Sequence, residues 1–154
     1  MVLIPVRNIF STDRKVLLKM NDSGDRKRII VYAGDGVLAR DVIFCSSSDS
    51  RRDGLLGRKA LGPEEGVLLK MPAGRSGKAG FMTSIHMLGM RFPIAVAWLD
   101  EAGVVVHSVL AKPWRPYYAS PRRAGYVLEV HPDLLVRIPT GKELRWEQSD
   151  QAQL

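Results

Sequence analysis

Hydrophobic and polar positions alternate along the chain over short runs, which predicts a protein built mainly of β-strands. The strongest run is Ile94–Leu99, which is apolar at every position and predicts a central strand buried on both faces. A turn at 100–103 follows it, and 104–110 supplies a return strand. A second hairpin is predicted from the β-branched run at 29–32 and the apolar stretch at 37–45, which a Gly-Asp-Gly turn separates.

The rest of the chain carries shorter signals of the same kind. Alternating apolar positions predict a half-buried strand at 126–130, and short strands are also predicted at 67–69 and 144–146. A serine-rich stretch offers N-caps for a short helix at 51–58, and Pro132 can open one helical turn. The predicted fold class is therefore α+β and predominantly β, a small barrel-like antiparallel or mixed sheet with one or two short helices.

Length and composition predict one soluble globular domain. The chain has 154 residues, of which 45% are hydrophobic and 25% are charged, as in ordinary folded domains. We expect a single domain over 1–154, with a tail at 148–154 that frays. No stretch approaches the roughly 20 apolar residues that a membrane helix needs, and the N-terminus lacks the basic leader and apolar region of a secretory signal. We therefore expect a cytoplasmic protein with no membrane partner.

Charge and cysteine content exclude few classes of binding partner. The formal net charge of +7 fits either a polyanionic partner or simple solubility. The single cysteine, Cys45, excludes an intrachain disulfide and a multi-cysteine zinc site, and it suits a reducing compartment. Because Cys45 follows an apolar run, a buried and unreactive thiol is expected.

Three segments of the chain carry a resemblance to a known family. They read RDGLLGR at 52–58, IHMLGMRFPI at 85–94 with DEAG at 100–103, and PWR at 113–115 with YVLE at 126–129. In this order and spacing they resemble the bacterial family called domain of unknown function 192 (DUF192), over a family-like core at about 42–147. The resemblance implies a small, mostly β domain, often barrel-like, with one or two short helices. It implies no established reaction.

The chain departs from the family pattern at three points. Ala95 stands where the resemblance implies an aspartate shortly after the proline, and Gly141-Lys142 stands where it implies Gly-Asp. The segment between Val130 and Gly141 is also about a turn short for the family's small helix. If those acidic positions contribute to a family site, this chain has lost part of it. The resemblance therefore gives little support for carboxylate chemistry here.

The motif segments also hold the candidate site residues. His86 is the one weak candidate for a catalytic group, as an acid, a base or a hydrogen-bond donor in a cleft; the alternative is a structural imidazole that donates to a backbone carbonyl. Arg58 and Arg91 could bind a carboxylate or phosphate through the planar guanidinium, or form ion pairs that fix their loops. The histidines show no metal-ligand spacing, so neither a metal nor a cofactor is predicted, and structural roles are expected for His107 and His131.

A loop at 112–123 is rich in cations and aromatic residues. It contains four positive charges, three aromatic residues and no acid. Such a loop could stack bases or sugars while its cations meet phosphates, or it could simply cap one end of the barrel. We predict that one shallow cleft is lined by the ligand-binding set Arg58, His86, Arg91, Trp114 and Arg115.

These observations favour a binding or accessory domain over an enzyme, because the sequence shows no assembled catalytic set. Its ligand would be a small anion, a sugar-like molecule or a peptide. Two alternatives stay open: an enzyme of unrecorded type that uses His86 as an acid or base, and a nucleic-acid-binding protein with a basic-aromatic surface. The sequence does not give the oligomeric state.

Overall fold

One seven-stranded sheet forms the body of the protein. The computed structural model describes residues 26–72 and 83–149, so the segment before 26 and the predicted tail from 150 onward lie outside the described residues. The strands are β1 (Lys27–Ala33), β2 (Gly36–Cys45), β3 (Glu65–Lys70), β4 (Ile94–Leu99), β5 (Val105–Ala111), β6 (Tyr126–Val130) and β7 (Leu144–Gln148). Two short helices occur within the same ranges, α1 (Ser48–Asp53) and a 3₁₀ helix (Pro132–Arg137). The predicted class, α+β and predominantly β, is confirmed.

The sheet is mixed and open. Its strand order is β5-β4-β6-β3-β2-β1-β7, with β2 and β3 parallel and every other neighbouring pair antiparallel. The edge strands β5 and β7 do not pair along their length. In the described chain they approach each other at one end, through a bridge between Val104 and Glu143 and a hydrogen bond of 2.9 Å from the Leu144 amide to the Gly103 carbonyl. The barrel-like description is therefore true only loosely.

Strand β4 separates two hydrophobic cores, as its uninterrupted apolar sequence predicts. Its six residues are all buried. Ala95, Ala97 and Leu99 belong to the core that the 3₁₀ helix covers with Leu134 and Leu135. The side chains on the other face of β4 belong to a second core, together with Cys45, Leu55, Leu69, Ile85, Met87, Met90 and Val127. The second core is covered by the chain after α1 and by 85–92, so it lies beneath the family-like motifs.

Helix α1 begins and ends earlier than the predicted 51–58. It begins at Ser48 because the Ser47 side chain caps it, with the Ser50 amide donating to Ser47 Oγ over 3.1 Å. It ends at Asp53 because Gly54 has φ 39° and ψ −120°, a conformation outside the helical region. Gly54 therefore terminates the helix rather than merely weakening it.

Two other expectations are corrected in the C-terminal half. Strand β6 is not half-buried: its last four residues are buried on both faces of the sheet, because β3 and β4 flank it and a core covers each face. The predicted tail at 148–154 begins too early. Gln148 pairs with Ile29, and the Ser149 amide donates to the Arg28 carbonyl over 2.9 Å.

Candidate functional site

Backbone hydrogen bonds bring the second and third motif segments together. The Ile85 and Tyr118 amides each donate to the carbonyl of the other residue over 2.9 Å. The Met87 amide donates to the Arg115 carbonyl over 2.8 Å, and the Trp114 amide donates to the Met87 carbonyl over 2.9 Å. These bonds hold Trp114 in a left-handed conformation, with φ 65°. The aromatic loop is thereby ordered beside the chain that carries His86.

The first motif segment packs on the same part of the molecule. Leu55 is buried in the second core with Met87 and Met90. A Cβ placed on Gly89 would lie 3.5 Å from Leu56 Cδ1, so the turn at 88–89 lies against the chain after α1. All three motif segments therefore meet over the second core.

A cleft of about 290 Å³ lies between α1, the segment at 84–90 and the sheet. Its polar lining comes from Ser48, Arg51, Arg52, Asp53, Ser84, His86 and Glu129. Its apolar lining comes from Leu55, Leu56, Leu69, Met71, Ile85, Met87, Met90 and Ile94. An apolar site with a few converging polar groups is the usual composition of a small-molecule site.

Glu129 is the buried acid of this cleft. It is the fourth of the five residues of β6, opposite Val67 of β3 and Val96 of β4, and only 8% of its surface is exposed. Burial raises the pKa of the Glu129 carboxyl to about 7, because the charged form loses its hydration there. No hydrogen bond or ion pair within the described residues involves this carboxyl.

The Glu129 oxygens reach the surface of the cleft. Every fully buried side-chain nitrogen or oxygen atom in the described part of the chain has a hydrogen-bond partner. The unpartnered oxygens of Glu129 are therefore not fully enclosed, and Glu129 lines the cleft. A Cβ placed on Gly54 would lie 3.9 Å from Glu129 Oε2, so the glycine that ends α1 also leaves room beside the carboxyl.

The arginines of α1 differ in their roles. The Arg51 guanidinium donates to the carbonyls of Ser46 and Lys70, the latter over 3.2 Å, and ties α1 to β3. Arg52 and His86 are exposed side chains that line the cleft, and within the described residues neither has a hydrogen bond or ion pair. Arg52 and His86 are therefore available to a ligand.

The predicted ligand-binding residues do not all line this cleft. His86 lines it, whereas Arg58 lines a neighbouring depression that shares Asp53, Gly54 and Leu56 with it. Arg58 also forms an ion pair with Glu65 over 3.5 Å.

The other three predicted residues lie on the surface outside the cleft lining. Arg91, Trp114 and Arg115 are exposed, and Trp114 is 66% exposed. The three motif segments therefore meet, but of the five predicted ligand-binding residues only His86 lines this cleft.

The departures from the family pattern lie away from the cleft. Ala95 is fully buried in the core on the opposite face of the sheet. Lys142 lies near the turn between β1 and β2, where its Nζ is 3.4 Å from the position that a Cβ on Gly34 would occupy. Neither departure removes a side chain from the cleft that holds Glu129.

The remaining histidines and the cysteine have structural surroundings. The His107 ring packs on Trp98 with 5.5 Å between ring centroids, and His131 Nδ1 accepts a hydrogen bond from the Asp133 amide over 3.3 Å. Cys45 is buried, as expected. Among the described residues, no three potential ligands cluster to hold a metal ion. Nor does the described chain contain a helix long and apolar enough to cross a membrane.

Sequence reasoning missed Glu129 and Arg52. Both stand inside the quoted motifs, but the alternation at 126–130 placed Glu129 on a face expected to be exposed. The usable signal was one carboxylate in an otherwise apolar strand that follows a central hairpin. An acid there is either exposed at a sheet edge or buried for a reason other than packing.

Two solved crystal structures share this fold. A candidate transcription regulator from Sinorhizobium meliloti 1021 has a TM-score of 0.65 and 20% sequence identity, over 82% of this chain and 97% of that chain. A protein of unknown function from Novosphingobium aromaticivorans DSM 12444 has a TM-score of 0.63 and 21% identity, over 81% of this chain and 89% of that chain. At these identities the likeness shows the fold alone. No curated protein matches the chain.

A family model matches most of the chain. The model is that of DUF192, described as Uncharacterized ACR, and it matches residues 30–146. The match includes all three motif segments. It begins in β1, ahead of the predicted start at 42, because the β1–β2 hairpin is part of the same sheet. The chain therefore belongs to the DUF192 family.

Proposed function

We propose that the protein is a binding or accessory domain whose cleft between α1, the segment at 84–90 and the sheet holds a small anionic ligand. One observation carries this proposal: Arg52, His86 and Glu129 share the cleft, and within the described chain none of them has a hydrogen bond or ion pair. Glu129 is the stronger argument for a ligand, because a buried ionisable group is ordinarily paired, and Arg52, which is unpaired within the described residues, is the argument for the ligand's negative charge. Unpaired groups that converge in a cleft favour a ligand as the missing partner.

The charge and size of the cleft support a small anion. Arg51 and Arg52 both line it, whereas of the two acids that also line it Asp53 is paired with Arg26 and Glu129 is only partly ionised near neutral pH. The chain's net charge of +7 also attracts anions toward the protein. The volume of about 290 Å³ lies near the lower end of the usual range for small-molecule sites, roughly 300–1,000 Å³. A small molecule therefore fits this cleft better than a peptide segment does.

An enzyme that uses His86 is the first alternative. A catalytic histidine is commonly oriented by a hydrogen bond from a second group. His86 has no such bond within the described residues, which supports binding over catalysis. Discovery of a reaction that requires both His86 and Glu129 would favour catalysis over binding.

Nucleic-acid binding is the second alternative. The exposed Trp114 and Tyr117, which are 66% and 54% exposed, favour it. The basic residues near β1 and β2 favour it less, because they form ion pairs with acids: Arg26 with Asp53, Arg28 with Asp41 and Arg40 with Glu64. A gel-shift assay at low and high salt separates this alternative from small-anion binding.

Thermal unfolding with a panel of small anions tests the proposed function. The panel is butanoate, hexanoate and octanoate, with hexanamide as the uncharged control and ribose and a tripeptide as the other ligand classes. An anion present at 100 times its Kd should stabilise the protein by about 2.7 kcal/mol, and hexanamide should not.

Matched arginine variants locate the effect. Arg52→Gln should weaken the stabilisation by the anion, whereas Arg91→Gln should leave it intact, because Arg91 is exposed and lies outside the cleft lining. A panel without any stabilising anion, or an equal loss in both variants, contradicts the proposal.

The proposal includes a cytoplasmic location in a bacterial cell. It is supported by the single cysteine, which is buried and can form no intrachain disulfide, and by the bacterial family to which the sequence is similar. Cell fractionation of a source organism tests it.

A further inference from the structure

The Glu129 carboxyl is the group that packing explains least. Its neighbours across the strands are Val67 and Val96, and both belong to the hydrophobic core on that face of the sheet. A leucine at this position would meet the same neighbours without the free energy needed to desolvate a carboxyl. Its oxygens also face the cleft rather than a partner in the described chain.

We propose that Glu129 binds a hydroxyl group at the inner end of the ligand, so that the ligand is a short aliphatic hydroxy acid with its carboxylate near Arg52 and His86. This inference rests on the proposed function, because it places the anionic end of the ligand at the mouth of the cleft. It adds the chemical class of the ligand and assigns Glu129 as the residue that determines specificity.

The walls of the cleft favour an aliphatic body between the two polar ends. The apolar side chains that line the cleft include Leu55, Leu69, Ile85, Met87, Met90 and Ile94. Branched aliphatic and thioether side chains make close contact with methylene groups, and methionine adapts to their shape. A sugar would leave its further hydroxyl groups without partners against such walls.

A hydroxyl group suits Glu129 better than an ammonium group does. Because burial raises the pKa of Glu129 to about 7, both of its protonation states occur near neutral pH. A hydroxyl donates to the ionised carboxylate and accepts from the protonated acid, whereas an ammonium group only donates. An ammonium group would also have to lose its hydration in a cleft that already holds Arg51 and Arg52, and the other acid of the lining, Asp53, is paired with Arg26.

Matched ligands on the full chain test the inference. Isothermal titration calorimetry at pH 7 compares butanoate, hexanoate and octanoate with their ω-hydroxy derivatives, and ω-aminohexanoate is the cationic comparison. At the chain length that binds best, the hydroxyl should raise the affinity about tenfold, which is the gain from one net hydrogen bond.

Two variants of Glu129 assign that gain to the carboxyl. In Glu129→Leu the hydroxylated and plain acids should bind equally, and the plain acid should bind at least as well as it binds to the wild type. In Glu129→Gln, whose amide keeps a donor and an acceptor, part of the preference for the hydroxyl should remain. Circular dichroism of both variants checks that they are folded.

The outcomes separate the two proposals. Equal binding of hydroxylated and plain acids to the wild type would overturn the hydroxy-acid inference and leave the small-anion function standing. Tightest binding of ω-aminohexanoate would overturn it in favour of an ammonium group. If no carboxylate binds, both proposals fail.

Discussion

At the scale of single residues, the raised pKa of Glu129 makes stability depend on pH. The Glu129 carboxyl has a pKa of about 7 in the folded protein, against 4.5 ordinarily. Between these values the folded state binds more protons than the unfolded chain, so stability falls as the pH rises. The loss is absent well below pH 4.5 and complete above pH 7, where it amounts to about 3 kcal/mol.

A variant whose residue 129 cannot titrate should not show this pH-dependent loss of stability. We expect the wild type to lose about 2–3 kcal/mol more of its free energy of unfolding between pH 5 and pH 8 than Glu129→Gln loses, because the amide does not titrate. Urea unfolding at both pH values measures the difference. Glu143→Gln, at an exposed position, is the control. A Glu129→Gln variant with the same pH dependence as the wild type would show that Glu129 titrates normally.

The sequence drew attention to His86 and not to Glu129, although both residues line the cleft. His86 stands out because it is a titratable residue inside a motif, whereas Glu129 looks like the polar position of an alternating strand. Alternation predicts burial on one face only. It does not reveal that a second layer, here the chain at 84–90 and the turn after α1, covers the other face.

At the scale of elements, Gly54 links the end of α1 to the shape of the cleft. Its φ of 39° and ψ of −120° stop the helix after Asp53. The same residue leaves Glu129 Oε2 free, at 3.9 Å from the position that a Cβ would occupy. Helix termination and access to the carboxyl therefore depend on one glycine.

Alanine at Gly54 should reduce both stability and ligand binding. The strained backbone should lower the free energy of unfolding by about 1–3 kcal/mol, and the new methyl group should weaken binding of the hydroxy acid. Gly57→Ala is the matched control, because its φ is +84° and nothing lies within 4 Å of its Cβ position. Denaturation and calorimetry on both variants should show a stability loss in each and a binding loss only in Gly54→Ala. Equal binding losses in Gly54→Ala and Gly57→Ala would show that Gly54 has no specific effect on the site.

Local signals predicted most of the elements and misplaced a helix. The hairpin of β4 and β5 followed directly from apolar residues and a turn in which the Asp100 carboxylate accepts from the Ala102 and Val104 amides over 2.9 Å. The helix bounds were wrong because several serines could cap it, and only the structure identifies Ser47 as the cap. Where several adjacent residues can cap a helix, the sequence alone does not select one of them.

At the scale of the whole molecule, the open sheet is held in a curved shape where its two edges meet. Gly103 lies at this junction, with φ 86°, and a Cβ there would lie 2.6 Å from the Leu144 carbonyl oxygen. The close approach lets the chain before β5 bond to the start of β7. The junction is therefore sensitive to a single added methyl group.

Alanine at Gly103 should lower stability more than alanine at Gly141. Both glycines have positive φ, 86° and 90°, but nothing lies within 4 Å of a Cβ on Gly141. The shared backbone strain should lower the free energy of unfolding by about 1–3 kcal/mol in each variant, and the clash with Leu144 should add to it only at Gly103. Equal losses in chemical denaturation would mean that the close approach contributes nothing.

The order and pairing of the strands could not be predicted from the sequence. Strand β4 could be placed inside the sheet rather than at an edge because every residue is apolar. The parallel pairing of β2 with β3, and the insertion of β6 between β3 and β4, join segments far apart in the chain. No local pattern encodes such pairings. The family resemblance gave the class of fold but not this order.

The central claim is that a ligand occupies the cleft above Glu129, and chemical-shift mapping tests it most directly. The ¹⁵N-labelled protein is titrated with ω-hydroxyhexanoate, and the shifts of its backbone amides are followed. The account predicts saturable changes concentrated in α1, in 84–90 and around Glu129, at lower concentrations of ω-hydroxyhexanoate than of hexanoate, and it predicts that the two ligands saturate Glu129→Leu at the same concentration. Changes concentrated in the loop at 112–123 or near β1, or a preference for ω-hydroxyhexanoate that is unaffected in Glu129→Leu, would contradict it.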